Sequence, residues 1–371
     1  MEPIRVLQVI GIMNRGGAET MIMNLYRNID RNKVQFDFVE NSFEKATFDD
    51  EIEALGGKIY HCPHFTGKNL MDYKKWWRDF YLQHKEEYRI VHGHIGSTAA
   101  IYLKEAKKNG IFTIAHSHSI KNHSVNGILY NLLSYPTRFI ADYFFACSKV
   151  AGIDRYGKKF LERNRSKVLP NAIDTKKYAY NLATREKVRQ AFVDDNEILV
   201  GHIGRFVNAK NHKFLISIFE EFLKIVPNSK LLLVGDGNLR KEVEQLVKQK
   251  GINDHVIFTG VRNDINEIVQ AMDIFVFPSL YEGLPVTLVE TQTSGLPCVI
   301  SDKVPDESII TKKLVTVKKL TDAPKEWAKH MNDRLTEKRY DRTQEVIDAG
   351  FDISETAKWL EEFYLEKYRK N

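Results

Sequence analysis

Two carboxylates and two cations are placed where a strand gives way to a helix. In PSLYEGLPVTLVETQTSGLPCVISD, residues 278–302, Glu282 and Glu290 lie eight positions apart. Between them Gly283, Leu284 and Pro285 read as a turn, and Val286 opens a helix that buries Leu288 and Val289. Such a turn presents the backbone N–H groups of Thr287 and Leu288 at a helix start, where unpaired donors and the positive dipole end suit a phosphate. Glu290, about one turn further along, reaches the same place and can accept hydrogen bonds from sugar hydroxyls. In GHIGRFVNAKNH, residues 201–212, Arg205 offers a bidentate fork and Lys210 a point charge. That combination fits a diphosphate.

A second candidate anion contact is GIMNRGGAET, residues 11–20, between the first strand and the first helix. Gly16 and Gly17 let backbone approach a ligand closely, and the following helix offers its N-terminus. The spacing is not the GxGxxG dinucleotide fingerprint. The histidines are clustered too, with eight of the twelve between His61 and His123. His92 and His94 in HGH, and His116 and His118 in HSH, each share one face of a strand. A zinc site is conceivable, yet no carboxylate accompanies them at ligand spacing. The preferred reading gives His116 sugar and phosphate contacts and leaves most of the others to packing or solvent.

The elements that would position these residues follow from periodicity. Short β-branched and aromatic runs alternate with amphipathic helical stretches, the rhythm of βαβ units and a parallel sheet. The first series is IRVLQVIG, VQFDFVE, KIYHC, RIVHGH, FTIAHS and DYFFACS. After the polar break at SKVLPNAIDTKKY comes a second: EILVGHIGR, KLLLVGDG, HVIFTG, DIFVFPS, PCVISD and LVTVK. The expected class is α/β, with two Rossmann-like doubly wound domains, residues 1–170 and 171–353, facing each other across a cleft. A final amphipathic helix, about 354–371, packs back on the first. In open parallel sheets ligands bind beyond the carboxyl ends of the strands, where every motif above falls.

Composition narrows the classes. At 371 residues the length favours two domains, and 43% hydrophobic with 28% charged residues argues against disorder or a fibrous repeat. Cys62, Cys147 and Cys298 form no CxxC pair, which fits a reducing compartment and points to neither disulfides nor a zinc cluster. No secretory leader or apolar span is seen, so the expected location is cytoplasmic and any membrane contact peripheral, at the inner face. The net charge of +6 is concentrated in residues 1–170, with 25 Lys and Arg against 18 Asp and Glu. MDYKKWWRDFY, residues 71–81, and GILYNLLSYPTRF, residues 127–139, mix aromatic and basic or apolar residues as interfacial segments do, while Trp76 and Trp77 equally suit a helix packed against the sheet. No nucleic-acid-binding signature occurs.

The GGAE turn, the VLPNAID junction, GRFVNAK and the E-x7-E segment ending in SGLPCVISD together resemble the retaining glycosyltransferase family 4, of the GT-B fold, over nearly the whole chain. The likeness is strongest to the exopolysaccharide and capsule glycosyltransferases of bacteria. The resemblance implies that Gly17 contacts the donor phosphate, Arg205 and Lys210 stabilise the leaving diphosphate, Glu290 holds the ribose and Glu282 lies near the transferred sugar. His116 matches the family's histidine near the reaction centre, and Arg262 falls in the loop beside the nucleotide base. It also implies a nucleotide-sugar donor, a UDP-sugar by family habit, and a glycan acceptor, expected to be lipid-linked. No cofactor is expected and, with no D-x-D motif, no metal. Two departures stand out: Lys210-Asn211-His212 where the family often has Lys-Gly, and ETQTSG where it has EAMAxG. The competing readings are a GT-B nucleotide-sugar 2-epimerase and a non-catalytic sugar-nucleotide-binding partner in a polysaccharide assembly complex.

Overall fold

The apolar runs pair in parallel, and the pairing order decides where loops can converge. The computed structural model describes residues 2–14, 16–118 and 131–371. The first sheet contains β1 (Ile4–Ile10), β2 (Val34–Glu40), β3 (Ile59–His61), β4 (Tyr88–Gly93), β5 (Phe112–Ser117), β6 (Tyr143–Ala146) and β7 (Ser166–Val168). Its order is β3-β2-β1-β4-β5-β6-β7. The second contains β8 (Ile198–Ile203), β9 (Ser229–Val234), β10 (Val256–Gly260), β11 (Ile274–Phe277), β12 (Cys298–Ser301) and β13 (Val315–Lys318). Here the order is β10-β9-β8-β11-β12-β13. The order reverses between β1 and β4 in one sheet and between β8 and β11 in the other, and such a switch point opens a crevice at the carboxyl ends.

The chain divides into two compact units, Met1–Ala172 with Ile353–Asn371, and Ile173–Asp352. In each, the central strands are buried on both faces, as helix-covered parallel sheets require. One face of the first sheet packs Val6, Phe36 and Phe38 against Met21, Ile22 and Leu25 of the helix Gly17–Asn28. Ala357, Leu360, Phe363 and Tyr364 of the helix Ile353–Lys370 complete this layer. The opposite face carries Tyr73, Trp77, Tyr81, Tyr102 and Leu103. The second sheet is covered by Leu215, Phe219 and Trp327 on one side and Val269, Met272 and Leu288 on the other.

This packing decides between the two readings of residues 71–81. The aromatics of residues 71–81 do not form an interface: Tyr73, Trp77 and Tyr81 are fully buried in the helix Leu70–Gln83, and Trp76 stacks on Phe80 at 5.1 Å. Helical spacing turned them toward the sheet because burying such rings outweighs any interfacial preference. The other segment lies outside the described residues up to Tyr130; beyond it Leu132, Tyr135 and Phe139 are exposed. Among the described residues no helix is long and apolar enough to cross a membrane.

Gly201, on β8 at the switch point, shows how tightly the second sheet meets its helices. A Cβ there would sit 2.0 Å from Met272 Sδ. Gly201→Ala is therefore expected to destabilise the protein by about 1–3 kcal/mol through overpacking, read as a lower midpoint in urea unfolding.

Candidate functional site

The second unit carries Arg205, Lys210 and Glu282 on the loops that leave β8 and β11. The loop after β8 is held by backbone bonds: Gly204 N–H donates to Val234 O at 2.9 Å, Phe206 N–H to Asp236 O at 3.0 Å, and Leu239 N–H to Phe206 O at 3.0 Å. This approach needs glycine at 235, where φ is +134° and a Cβ would lie 2.2 Å from Gly204 O. Asn211, at φ 54°, stands in the left-handed region that asparagine tolerates better than most residues, and its Nδ2 donates to Pro278 O at 3.2 Å. The departure from Lys-Gly thus keeps the backbone shape and adds a tie to the loop after β11. Leu280 N–H supplies another, to Ala209 O at 2.8 Å.

Across those ties Lys210 Nζ donates to Glu282 Oε1 at 2.7 Å and sits 4.5 Å from the Phe277 ring centroid. Both partners are largely shielded, with 18% and 11% of their side-chain surface exposed. Arg205 is exposed and makes no ion pair among the described residues. One cation is thus fixed and paired while the other stands free.

The helix Val286–Thr293 begins at Pro285 with no side-chain cap. Leu288 N–H is already taken by Pro285 O at 3.0 Å, so of the two donors expected to meet a phosphate only Thr287 N–H is without an acceptor among the described residues. Gly283 and Leu284 form the turn before it. Glu290, half-buried, accepts from Tyr178 Oη at 2.7 Å. Burial pushes its carboxyl up to about 7, while the Tyr178 hydrogen bond works in the opposite direction. Arg262, beyond β10, is spanned by Asp264 through Nε at 2.8 Å and Nη2 at 2.5 Å. It is a stiffened edge rather than a free fork.

In the first unit the loop after β1 is anchored from beneath: Glu40, fully buried at the end of β2, accepts from Met13 N–H at 2.8 Å. Its carboxyl is raised to about 7, chiefly by burial. Gly16 precedes the helix Gly17–Asn28, and a Cβ on it would lie 2.3 Å from Glu19 Oε2. The Glu19 carboxylate thus folds over the helix start, where an incoming phosphate would have to displace it.

His116 is 3% exposed and sits in a stack of four rings. Its centroid lies 4.1 Å from that of His118 and 5.2 Å from that of His92, and His92 and His94 are 4.4 Å apart. His92 Nε2 meets His116 Nδ1 at 3.2 Å, His94 Nδ1 meets His118 Nε2 at 2.8 Å, His92 Nδ1 contacts Tyr364 Oη at 2.6 Å, and His94 Nε2 contacts Gln8 Oε1 at 2.9 Å. Burial holds His92, His94 and His116 well below the ordinary imidazole value and lowers His118 to about 4. The group is neutral at pH 7: it can exchange hydrogen bonds with hydroxyls but adds no positive charge for an anion.

Sequence reasoning missed Tyr178, Glu40 and the Gly235-Asp236-Gly237 turn. The turn had a signal, glycines directly after an apolar strand; the other two depend on tertiary proximity that spacing does not encode.

Comparison with known proteins gives the family and the fold. Residues 15–177 match the family described as Glycosyltransferase Family 4, and residues 184–350 match Glycosyl transferases group 1. EpsF of Bacillus subtilis (strain 168), which is named as a glycosyltransferase, is 36% identical over 87% of this chain and 86% of its own. The UDP-Gal:alpha-D-GlcNAc-diphosphoundecaprenol alpha-1,3-galactosyltransferase of Escherichia coli is 27% identical over 60% of this chain and 59% of its own. The crystal structure of Anabaena HepE in complex with UDP superposes with a TM-score of 0.81 at 18% identity, covering 98% of this chain and all of that one. The fold is GT-B.

The shifted Glu290 has a measurable consequence. Its folded value lies above the unfolded one, so its contribution to stability is complete below the ordinary carboxylate range and is lost as pH rises through about 7. Glu290→Gln removes that dependence. The stability of wild type relative to the variant should fall by on the order of 1–2 kcal/mol between acidic and neutral pH, measured by urea unfolding at a series of pH values.

Proposed function

The chain belongs to glycosyltransferase family 4, and from that membership we propose that it is a retaining, metal-independent enzyme that moves a sugar from a UDP-sugar to a lipid-linked glycan acceptor in bacterial exopolysaccharide or capsule assembly. The observation that carries this reading is the joint placement of Arg205, Lys210, Glu282 and the start of the helix Val286–Thr293 on the loops around the β8–β11 switch point.

Breaking the bond between the anomeric carbon and the diphosphate builds negative charge on the leaving oxygen and positive character on the sugar ring. Lys210, Arg205 and the Thr287 N–H supply fixed positive potential for the first, the role a divalent ion plays elsewhere. In the same reading Glu290 holds the ribose and Glu282, within reach of the ring, orients Lys210. With retention, the acceptor hydroxyl attacks from the face the diphosphate leaves, and a phosphate oxygen takes its proton. His116, neutral, hydrogen-bonds the sugar. Gly17 contacts the donor phosphate once Glu19 swings aside, and Arg262 borders the base. UDP as the nucleotide is supported by the UDP bound to HepE and by the UDP-Gal donor of the Escherichia coli relative. That relative's diphosphoundecaprenol acceptor supports the lipid-linked assignment.

A lipid-linked acceptor calls for a protein at the cytoplasmic face of the membrane, and the first unit has a surface suited to it. Leu132, Tyr135 and Phe139 are 67%, 52% and 72% exposed, with Arg138 lying over the Tyr135 ring at 4.7 Å. Apolar side chains beside cations are what an anionic lipid surface attracts.

Three experiments test the reading. Purified protein offered UDP-, GDP- and ADP-sugars with and without EDTA should be stabilised by UDP-sugars and release UDP unaffected by the chelator. The anomeric proton of the product should report the donor's configuration. Arg205→Ala and Lys210→Ala should each lower kcat about 10²–10³-fold with much less change in donor affinity. An equal loss in affinity alone, or release of an epimerised nucleotide sugar, overturns it. For the surface, Leu132→Ser with Phe139→Ser should weaken co-sedimentation with phosphatidylglycerol vesicles and leave UDP binding intact, and added salt should weaken the wild type as well.

A further inference from the structure

The four stacked histidines have more lone pairs than partners. Each neutral ring carries one N–H and one lone pair. The contacts between His92 and His116 and between His94 and His118 use two of the lone pairs, and Gln8 Oε1 accepts the N–H at His94 Nε2. Two buried nitrogens, His116 Nε2 and His118 Nδ1, have no hydrogen-bond partner among the described residues. Buried polar atoms are seldom left so.

We infer that His92, His94 and His116 form a binding site for a borderline transition-metal ion such as Zn²⁺, with His118 beside them as a fourth donor. One ligand nitrogen from each of the three lies within 4.8 Å of the others. Tetrahedral zinc–nitrogen bonds of about 2.0–2.1 Å set ligand nitrogens about 3.3–3.4 Å apart, so the rings must turn toward one point to hold the ion, and His92 Nε2 and His116 Nδ1 already stand 3.2 Å apart. The absence of a carboxylate, which argues against zinc at the level of spacing, does not weigh here, because three imidazoles are a complete protein ligand set for zinc and His118 can take the fourth position. All-imidazole ligation selects Zn²⁺, Co²⁺, Ni²⁺ or Cu²⁺ over Mg²⁺ or Ca²⁺. Tyr364 and Gln8, bonded to the far nitrogens of His92 and His94, would fix the rings as outer-shell partners do. A cavity lined by His94, His116, His118, Ser134 and Arg155 gives access. Since His116 is needed for the sugar in the proposed reaction, the ion would act as an inhibitor. Only this last consequence rests on the transferase reading.

The test uses the full chain stripped with chelator, titrated calorimetrically with Zn²⁺ and Mg²⁺ and spectroscopically with Co²⁺. Expected are one Zn²⁺ per chain, visible Co²⁺ bands of nitrogen ligation, no Mg²⁺ binding, and at least about tenfold weaker Zn²⁺ binding in His94→Gln and in His116→Gln. His330→Gln, elsewhere on the surface, should bind as wild type does. Circular dichroism verifies that the variants are folded; should both fail to fold, the wild-type Co²⁺ spectrum and the His330→Gln titration decide. No Zn²⁺ binding, Co²⁺ without ligand-field bands, undiminished binding in the folded histidine variants, or loss of binding in His330→Gln overturns the site.

Discussion

What the second unit can do with a polyanion depends on how Lys210 is held. Its ammonium lies between the Glu282 carboxylate and the Phe277 ring, on two loops tied by Asn211 and Leu280. Removing two charges from water costs more than a loose pairing returns, so the pair persists only because the loops fix its geometry. The pairing also cancels the lysine's charge until an anion arrives. A diphosphate that draws Lys210 partly away from Glu282 recovers a desolvated cation at full strength, whereas Arg205, exposed and without an ion pair, contributes a screened one. The two cations are therefore not equivalent, although their residue types alone make them look like a matched pair.

The same constraint explains the glycines. A cation can be aimed only if its loop cannot drift, and the loop after β8 is pressed against the turn after β9 at distances a side chain would forbid. Gly235 permits that contact and Asn211 closes the loop with a left-handed residue that also reaches Pro278. Backbone conformation, not side-chain chemistry, sets the position of Arg205.

How much of this could be read from the chain differs by level. Strands and helices were legible because apolar periodicity is a local property: β8 and β11 stand out as apolar runs ending in glycine or proline, and the helix Val286–Thr293 starts where Pro285 places it. The fold class followed from their alternation. What spacing could not supply were the partners. The hydroxyl of Tyr178 reaches Glu290 across 112 positions and Glu40 reaches Met13 across 27, and nothing in the intervening residues announces either contact. The aromatic run at 71–81 admitted two readings from its composition, and the burial of Tyr73, Trp77 and Tyr81 favours the packed one. Leu288 N–H looked available from its place in the first turn, and only the actual turn geometry gives it to Pro285.

The charge states of the two units point to a division of labour. The candidate residues of the second unit include Arg205 and Lys210, groups that stay charged and suit a developing negative charge. Those at the ends of β4 and β5 in the first unit are imidazoles held neutral by burial, with His118 down to about 4. Neutral rings instead discriminate by direction, donating from one nitrogen and accepting at the other, which is the information a pyranose hydroxyl pattern carries. In the proposed reaction the sugar contacts of His116 would be set by the tautomers of the stack, and those in turn by what Gln8 and Tyr364 present to His94 and His92.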